Sequence, residues 1–183
     1  MIYTMYYDSP VGRLLLVEKE GALAGVWIEG QKYFLGSLNE DMEETEDAKV
    51  LNETKKWLER YFRGERPQID ELSLAPLGSE FRKEVWKILC RIPYGEVTTY
   101  GEISKKIAKN RGIDRMSAQA VGGAVGHNPI SIIIPCHRVV GADGSLTGYA
   151  GGIKRKIKLL ELEGADMKKL YVPHNWKKLQ EGD

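Results

Sequence analysis

The sequence predicts two parts: an α/β N-terminal domain, made of an antiparallel sheet plus one helix, and a mainly helical C-terminal domain containing a helix-turn-helix. Three observations predict this. Short β-rich runs divided by turn residues fill the beginning of the chain, helical apolar spacing dominates the second half, and the charge changes sign between them. Residues 1–77 hold 9 Lys+Arg against 15 Asp+Glu, a balance of −6, whereas residues 78–164 hold 14 against 8, a balance of +6. A chain of net charge +1 with one basic half suits a polyanionic partner for that half, although charge alone more often marks a solvated face.

At 183 residues the chain can build one large core or two small ones. The expected divisions are 1–77 for the N-terminal domain and linker, 78–165 for the helical domain, and 166–183 for a tail that packs loosely or is disordered. A hydrophobic content of 42% with 29% charged residues is that of a soluble globular protein. No apolar run reaches the ~18 residues of a membrane span, and Met1–Tyr7 lacks a signal-peptide pattern. The expectation is a cytoplasmic protein, nuclear if eukaryotic. Cys90 and Cys136 are too few for a disulfide scaffold.

Ile2–Tyr7, Arg13–Glu18 and Leu23–Ile28 read as a meander, with Ser9-Pro10-Val11-Gly12 and Glu20-Gly21 as turns. The acidic stretch Asn39–Asp47 reads as a loop. From Ala48 to Phe62, Val50, Leu51, Thr54 (marginally), Trp57, Leu58 and Tyr61 recur at helical spacing until Gly64, and Pro67 blocks resumption. Arg63–Gly78, with its prolines and the charge reversal, reads as a linker. Ser79 caps a helix whose inward face is Phe81, Val85, Trp86, Ile88 and Leu89. Thr99-Tyr100-Gly101-Glu102 fits a capping box opening a helix to about Lys109. Ser117 caps another, Ala118 to about Gly126, whose Ala120, Gly122, Gly123 and Ala124 leave one side almost bare. Small residues suit close packing on a neighbouring helix or entry into a nucleic-acid groove, and different faces can serve both. Ser131–Ile134 reads as a buried strand leading to Cys136, Asp143-Gly144 as a hairpin turn, Gly148–Gly152 as a close-approach loop, and Ile153–Glu163 as a last helix stopped by Gly164.

Cys136 is followed at once by His137 and Arg138. A thiol becomes a nucleophile where a base or positive charge favours its thiolate. In an extended strand, however, neighbours point to opposite faces, so Cys–His contact needs a turn or a water, and a buried, inert Cys136 fits equally well. His127, His137 and His174 with no Cys-x-x-Cys lack zinc-ligand spacing, and no metal is expected. Cys90 is most simply a core or boundary residue.

The longer string is more specific. Ala120-Val121-Gly122-Gly123-Ala124-Val125-Gly126-His127-Asn128-Pro129, Ile134-Pro135-Cys136-His137-Arg138-Val139-Val140 and Gly148-Tyr149-Ala150-Gly151-Gly152 together resemble the O6-alkylguanine-DNA alkyltransferases (methylated-DNA–protein-cysteine methyltransferases). The resemblance covers roughly residues 78–164; residues 1–77 match more loosely. It implies a ribonuclease-H-like N-terminal domain and a winged-helix-like C-terminal one, without a cofactor, as a monomer on double-stranded DNA. The reaction it implies is irreversible, single-turnover transfer of an alkyl group from O6-alkylguanine to Cys136 after base flipping, with activity on O4-alkylthymine left open.

By the same resemblance, His137 is a base acting through water, Glu163 orients it, and Asn128 ties the helix-turn-helix to the active-site segment. Tyr100 donates to the base, the Ala150 amide reaches O6, the carbonyls of Cys136 and Val139 read the exocyclic amine, and Tyr149 walls the pocket beside Arg138. The second helix enters the minor groove through Gln119, Ala120 and Gly123, and Lys105, Lys106, Lys109, Arg111 and Arg115 meet phosphates. Gln119 departs from the arginine that fills the flipped base's place in the family. Two other readings are a non-catalytic reader of alkylated DNA, which would not need Cys136, and a hydrolase using Cys136, His137 and Glu163, which would turn over repeatedly.

Overall fold

The computed structural model describes residues 1–175. Trp176, assigned to the tail, lies outside the described residues. Strands β1 (Ile2–Ser9), β2 (Gly12–Lys19) and β3 (Ala22–Ile28) form the expected antiparallel meander. The first turn is closed by Ser9, whose hydroxyl donates to Gly12 O at 2.6 Å and accepts from Val11 N at 3.2 Å. Glu20 and Gly21 take φ of 54° and 80°, giving the two-residue turn whose twist matches the strands it joins. The acidic stretch is not wholly a loop. Its Met42–Glu44 forms β4, parallel to β1 at the sheet edge, in the order β3-β2-β1-β4. Of its three residues only Met42 packs on the core, too little side-chain patterning to announce a strand.

Helix α1 (Lys49–Phe62) packs on the sheet with Leu51, Thr54, Trp57, Leu58 and Tyr61 buried. Thr54, marginal in the apolar pattern, is tolerated because its hydroxyl donates to Val50 O at 2.8 Å. The segment expected to be a linker is a bound strap. Leu23 N donates to Ser73 O and Ala75 N to Leu23 O, each at 2.8 Å. Further along the same edge, Val26 N donates to Pro129 O and Ser131 N to Val26 O, each at 2.9 Å. The exposed edge of β3 is thus covered by the strap and by the C-terminal half. One apolar core runs through both halves, from Leu14, Val26 and Leu58 to Trp86, Leu89, Ile130 and Ile134.

In the second half, α2 (Glu80–Leu89) is capped by Ser79, which accepts from Arg82 N at 3.2 Å. Strand β5 (Thr98–Thr99) precedes α3 (Tyr100–Arg111), where Thr99 accepts from Glu102 N at 3.1 Å. The reciprocal half of the capping box is replaced: the Glu102 carboxylate accepts from the Thr98 hydroxyl. Gly112, at φ +65°, ends α3, and Ser117 caps α4 (Ala118–Gly126). Val121, Ala124 and Val125 of α4 are buried, and Trp86 Nε1 donates to Ala124 O at 2.8 Å. Gln119, Ala120 and Gly123 are exposed.

Ser131–Ile134 is not a strand. It is a buried turn, closed by Ile134 N donating to Ile130 O at 3.0 Å, with Ile132 at φ +73°. Its apolar composition reflects burial, which periodicity cannot separate from pairing in so short a run. A β-branched residue in the left-handed region costs on the order of 1–3 kcal/mol and persists only where its surroundings over-determine it. Cys136–Arg138 is then a single 3-10 turn, followed by β6 (Val139–Val140), parallel to β5, and later by α5 (Ile153–Leu162).

The turn at Asp143-Gly144 forms, with Gly141 N donating to Ser145 O at 2.9 Å, but its partner is the tail. Tyr171 N donates to Gly144 O and Leu146 N to Tyr171 O, each at 3.1 Å, and the Tyr171 hydroxyl donates to Asp143 at 2.5 Å. The tail is therefore docked as far as Tyr171. Among the described residues, no helix is long and apolar enough to cross a membrane. Gly144→Ala tests the docking: at φ +91° its Cβ would meet Lys169 O at 2.0 Å. Denaturant unfolding should show a loss of about 1–3 kcal/mol, and the Tyr171 and Leu146 amides should exchange faster.

Candidate active site

Cys136 and His137 lie in one 3-10 turn and not in an extended strand. Successive side chains in a 3-10 turn fan out around its axis, so Cys136, His137 and Arg138 reach different neighbours. Asn128, just beyond α4, fixes the approach to this turn. Its Oδ1 accepts from Ile130 N at 3.0 Å, and its Nδ2 donates to Ile134 O at 2.8 Å, two residues before the cysteine.

His137 and Glu163 are both buried, and His137 Nε2 lies 2.7 Å from Glu163 Oε2. Arg138 Nε and Nη2 donate to the two oxygens of the same carboxylate at 2.7 and 3.0 Å, and Nη1 donates to Ile92 O at 2.6 Å. Burial alone would raise the Glu163 pKa, but bonds from His137 and Arg138 outweigh it and hold the carboxyl far below its usual 4.5. An ionised carboxylate only accepts, so neutral His137 carries its proton on Nε2. Nδ1 then presents a lone pair, and it has no partner among the described residues. Burial also lowers the His137 pKa, the Glu163 bond opposing, so the imidazole is neutral at pH 7.

Cys136 is only 5% exposed. Burial pushes its thiol pKa up, while Asn128 and the Lys156 ammonium pull it down. The resting thiol therefore keeps its proton, and a base is needed to make the nucleophile. Lys156, buried on α5, donates to Val139 O at 2.5 Å and to Thr147 O at 3.1 Å, and burial brings its pKa down to about 8. Tyr100 donates to Thr147 O at 3.3 Å, and burial, with Cys136 adding, raises its phenol to about 12. The buried Tyr149 ring meets His137 edge-on, centroids 6.4 Å apart, and its hydroxyl has no partner among the described residues. Gly151 is required here, since a Cβ would come within 2.5 Å of that ring.

Tyr149 lines a cleft of about 360 Å³ formed by the bare side of α4, the 146–153 segment and Tyr33 of the N-terminal half. Tyr33 stacks on His127 at 3.8 Å, and Lys32 N donates to Ala150 O at 3.1 Å. Cys136, His137, Glu163, Asn128, Tyr100, Val139 and Tyr149 are thus gathered at one place, with Ala150 on the cleft. Arg138, expected to bind substrate, bonds to Glu163 and Ile92 O and does not line this cleft. Lys105, Lys106, Lys109 and Arg115 are exposed, whereas Arg111 pairs with Glu84 at 2.6 Å.

Sequence reading missed Lys156, Tyr33 and Tyr61, whose hydroxyl donates to Glu163 Oε2 at 2.5 Å. Lys156 had a signal, a lysine in register with Ile153, Leu159 and Leu160 on the apolar stripe of α5. Tyr61 had none beyond its core position. Among the described residues, no cluster of His, Cys, Asp and Glu could hold a metal ion.

A buried cysteine in the same turn as a buried His–Glu pair, near a cleft walled by glycines, defines a protein with a shielded thiol and a preset imidazole. Comparison with known proteins places it further. Residues 80–165 match the 6-O-methylguanine DNA methyltransferase, DNA binding domain, and residues 1–76 match that protein's ribonuclease-like domain. A methylated-DNA–protein-cysteine methyltransferase of Methanosarcina barkeri is 46% identical over 163 residues, covering 87% of this chain and 97% of its own. One from Haemophilus influenzae is 40% identical over 162 residues, covering 88% and 86%. The Mycobacterium tuberculosis OGT in complex with DNA superposes with a TM-score of 0.75 at 42% identity, covering 88% of this chain and 92% of that one. The chain belongs to the 6-O-methylguanine DNA methyltransferase family.

The carboxylate yields a pH-dependent prediction. Because its folded pKa is depressed, Glu163 contributes stability that is present above pH 4.5 and is lost as pH falls toward the folded value. Glu163→Gln leaves Arg138 buried without its counter-charge, and urea unfolding at pH 7 should show a loss of about 3–5 kcal/mol. The gap between variant and wild type should narrow as pH drops below 4.5.

Proposed function

We propose that this chain repairs DNA by direct, irreversible transfer of an alkyl group from O6-alkylguanine to its own Cys136, each molecule acting once. The observation that carries this reading is His137: hydrogen-bonded through Nε2 to Glu163, it keeps a buried lone pair on Nδ1 in the same turn as a protonated thiol. The thiol proton passes through a water to Nδ1, and Glu163 stabilises the imidazolium, as in a hydrolase triad. The thiolate pair forms an S–C bond to the alkyl carbon, the C–O6 bond breaks, and its electrons remain on O6. Tyr100, kept protonated by burial, donates as that charge develops, with the Ala150 amide beside it. The carbonyls of Cys136 and Val139 accept from Val139 N and Lys156, and a second lone pair on each remains for the exocyclic amine.

A guanine inside a duplex is out of reach of a buried thiol, so the base is flipped at a cost of a few kcal/mol. In this reading α3 and α4 are a helix-turn-helix of a winged-helix-like domain at 78–165, following a ribonuclease-H-like domain at 1–77. The exposed Gln119, Ala120 and Gly123 face of α4 enters the minor groove of double-stranded DNA. Lys105, Lys109 and Arg115 meet phosphates, which makes affinity fall with salt, and Arg111 does so by exchanging Glu84 for phosphate. The protein acts as a cytoplasmic monomer.

Incubating the protein with a duplex containing labelled O6-methylguanine should place the label on Cys136, at no more than one per molecule. Cys136→Ala should still bind the duplex but take no label. Binding without transfer by the wild type would favour a reader of alkylated DNA, and repeated turnover of an ester a hydrolase. Gln119→Arg should tighten binding or speed repair, because a longer, charged side chain better supports the flipped state. If neither changes, Gln119 is not at that position.

A further inference from the structure

Glu163 Oε2 accepts from three groups: His137 Nε2 at 2.7 Å, Arg138 Nη2 at 3.0 Å and the Tyr61 hydroxyl at 2.5 Å. The first two lie in the turn that holds the nucleophile. Tyr61 comes from α1 in the other half, 102 residues away in sequence, and is 1% exposed. Its ring is locked, stacked on Trp57 at 5.8 Å and met edge-on by Phe62 at 5.0 Å and Tyr94 at 6.2 Å. Burial and the neighbouring carboxylate keep its phenol protonated, so Tyr61 donates and Glu163 accepts.

From this geometry we propose that Tyr61 is a positioning residue of the alkyl transfer, through which the N-terminal half sets how strongly Glu163 pulls on His137. A carboxylate oxygen has a limited capacity to accept. A donor sharing Oε2 draws density from it and weakens its hold on the imidazole proton. Without that donor, Glu163 stabilises the imidazolium better, and His137 is protonated at higher pH, where it no longer serves as a base. The other ionisable groups facing this cluster are Arg138 from the turn, Lys156 from α5, Tyr94 from the segment after α2, and Cys136 and Tyr149 on the thiol side. None of these provides another hydroxyl donor to the carboxylate among the described residues.

This inference rests on the transfer reading above, and the experiment separates the two. Single-turnover transfer from an O6-methylguanine duplex is measured from pH 5 to 9 for wild type and Tyr61→Phe, with the folded fraction followed by near-ultraviolet circular dichroism. The His137 imidazole is titrated by NMR in a Cys136→Ala background. In Tyr61→Phe the acid limb and the imidazole titration should both move up by about half to one pH unit. Transfer should slow about threefold to tenfold on the acid side and approach wild type on the alkaline side. Incorporating 3-fluorotyrosine at position 61, a stronger donor that keeps the ring and hydroxyl, should move both curves down and gives the readout if the Phe variant folds poorly. Superimposed profiles, or a rate loss equal at every pH, would overturn the role of Tyr61 while leaving the transfer reading intact. A wild type that transfers nothing would sink the transfer reading itself.

Discussion

The structure depends on one buried negative charge. Glu163 sits where burial alone would neutralise it, and it stays ionised because Arg138, His137 and Tyr61 converge on its two oxygens. A buried ion is tolerable only when its hydrogen-bonding capacity is met. Each partner is therefore fixed in place, and each is anchored in turn: Arg138 on Ile92 O, Tyr61 against Trp57, and His137 by the 3-10 turn. The tautomer of neutral His137 follows from this arrangement, since an acceptor-only carboxylate dictates which nitrogen carries the proton.

The thiol is governed by an opposite balance. Burial disfavours the thiolate, so Cys136 rests as an unreactive acid despite the nearby ammonium of Lys156. Such a sulfur is protected from adventitious oxidation and alkylation, which track thiolate character and exposure. Under the transfer reading proposed above, reactivity is then conditional on a base and a properly placed alkyl carbon. Lys156 has a second task here, because its two carbonyl acceptors connect β6 to the segment that continues into the cleft loop.

How much of this could be read from sequence depended on whether a residue's role was local. Turn chemistry at Ser9–Gly12 and Glu20–Gly21 announced the meander, and Ser79, Thr99 and Ser117 announced three helix starts, because capping acts within a few residues. Cys136 and His137 stood out within a long, specific string, and the family resemblance that string carries added Glu163. Long-range pairing left no such mark. β4 pairs with β1 and packs only Met42 on the core, and the 131–134 turn resembles a strand because burial selects the same residues in either. Tyr61 reads as a core aromatic, since its ring does pack there, and only folding shows that the hydroxyl meets a carboxylate 102 residues away. The pairing of Arg138 with Glu163, 25 residues away, left no local mark for the same reason.

The covered edge of β3 has a practical corollary for anyone dissecting this molecule. Composition invites a cut near residue 77, yet severing the chain there would leave Val26's amide and carbonyl without their partners at Ser131 and Pro129. The left-hand fragment would also carry a phenol with nothing to hold. The right-hand fragment would lose the Trp57 and Tyr61 rings that help wall the recess beside Arg138. Fragments made on that seam are poor stand-ins for modules, because each would bare backbone groups and apolar surface that the other covers.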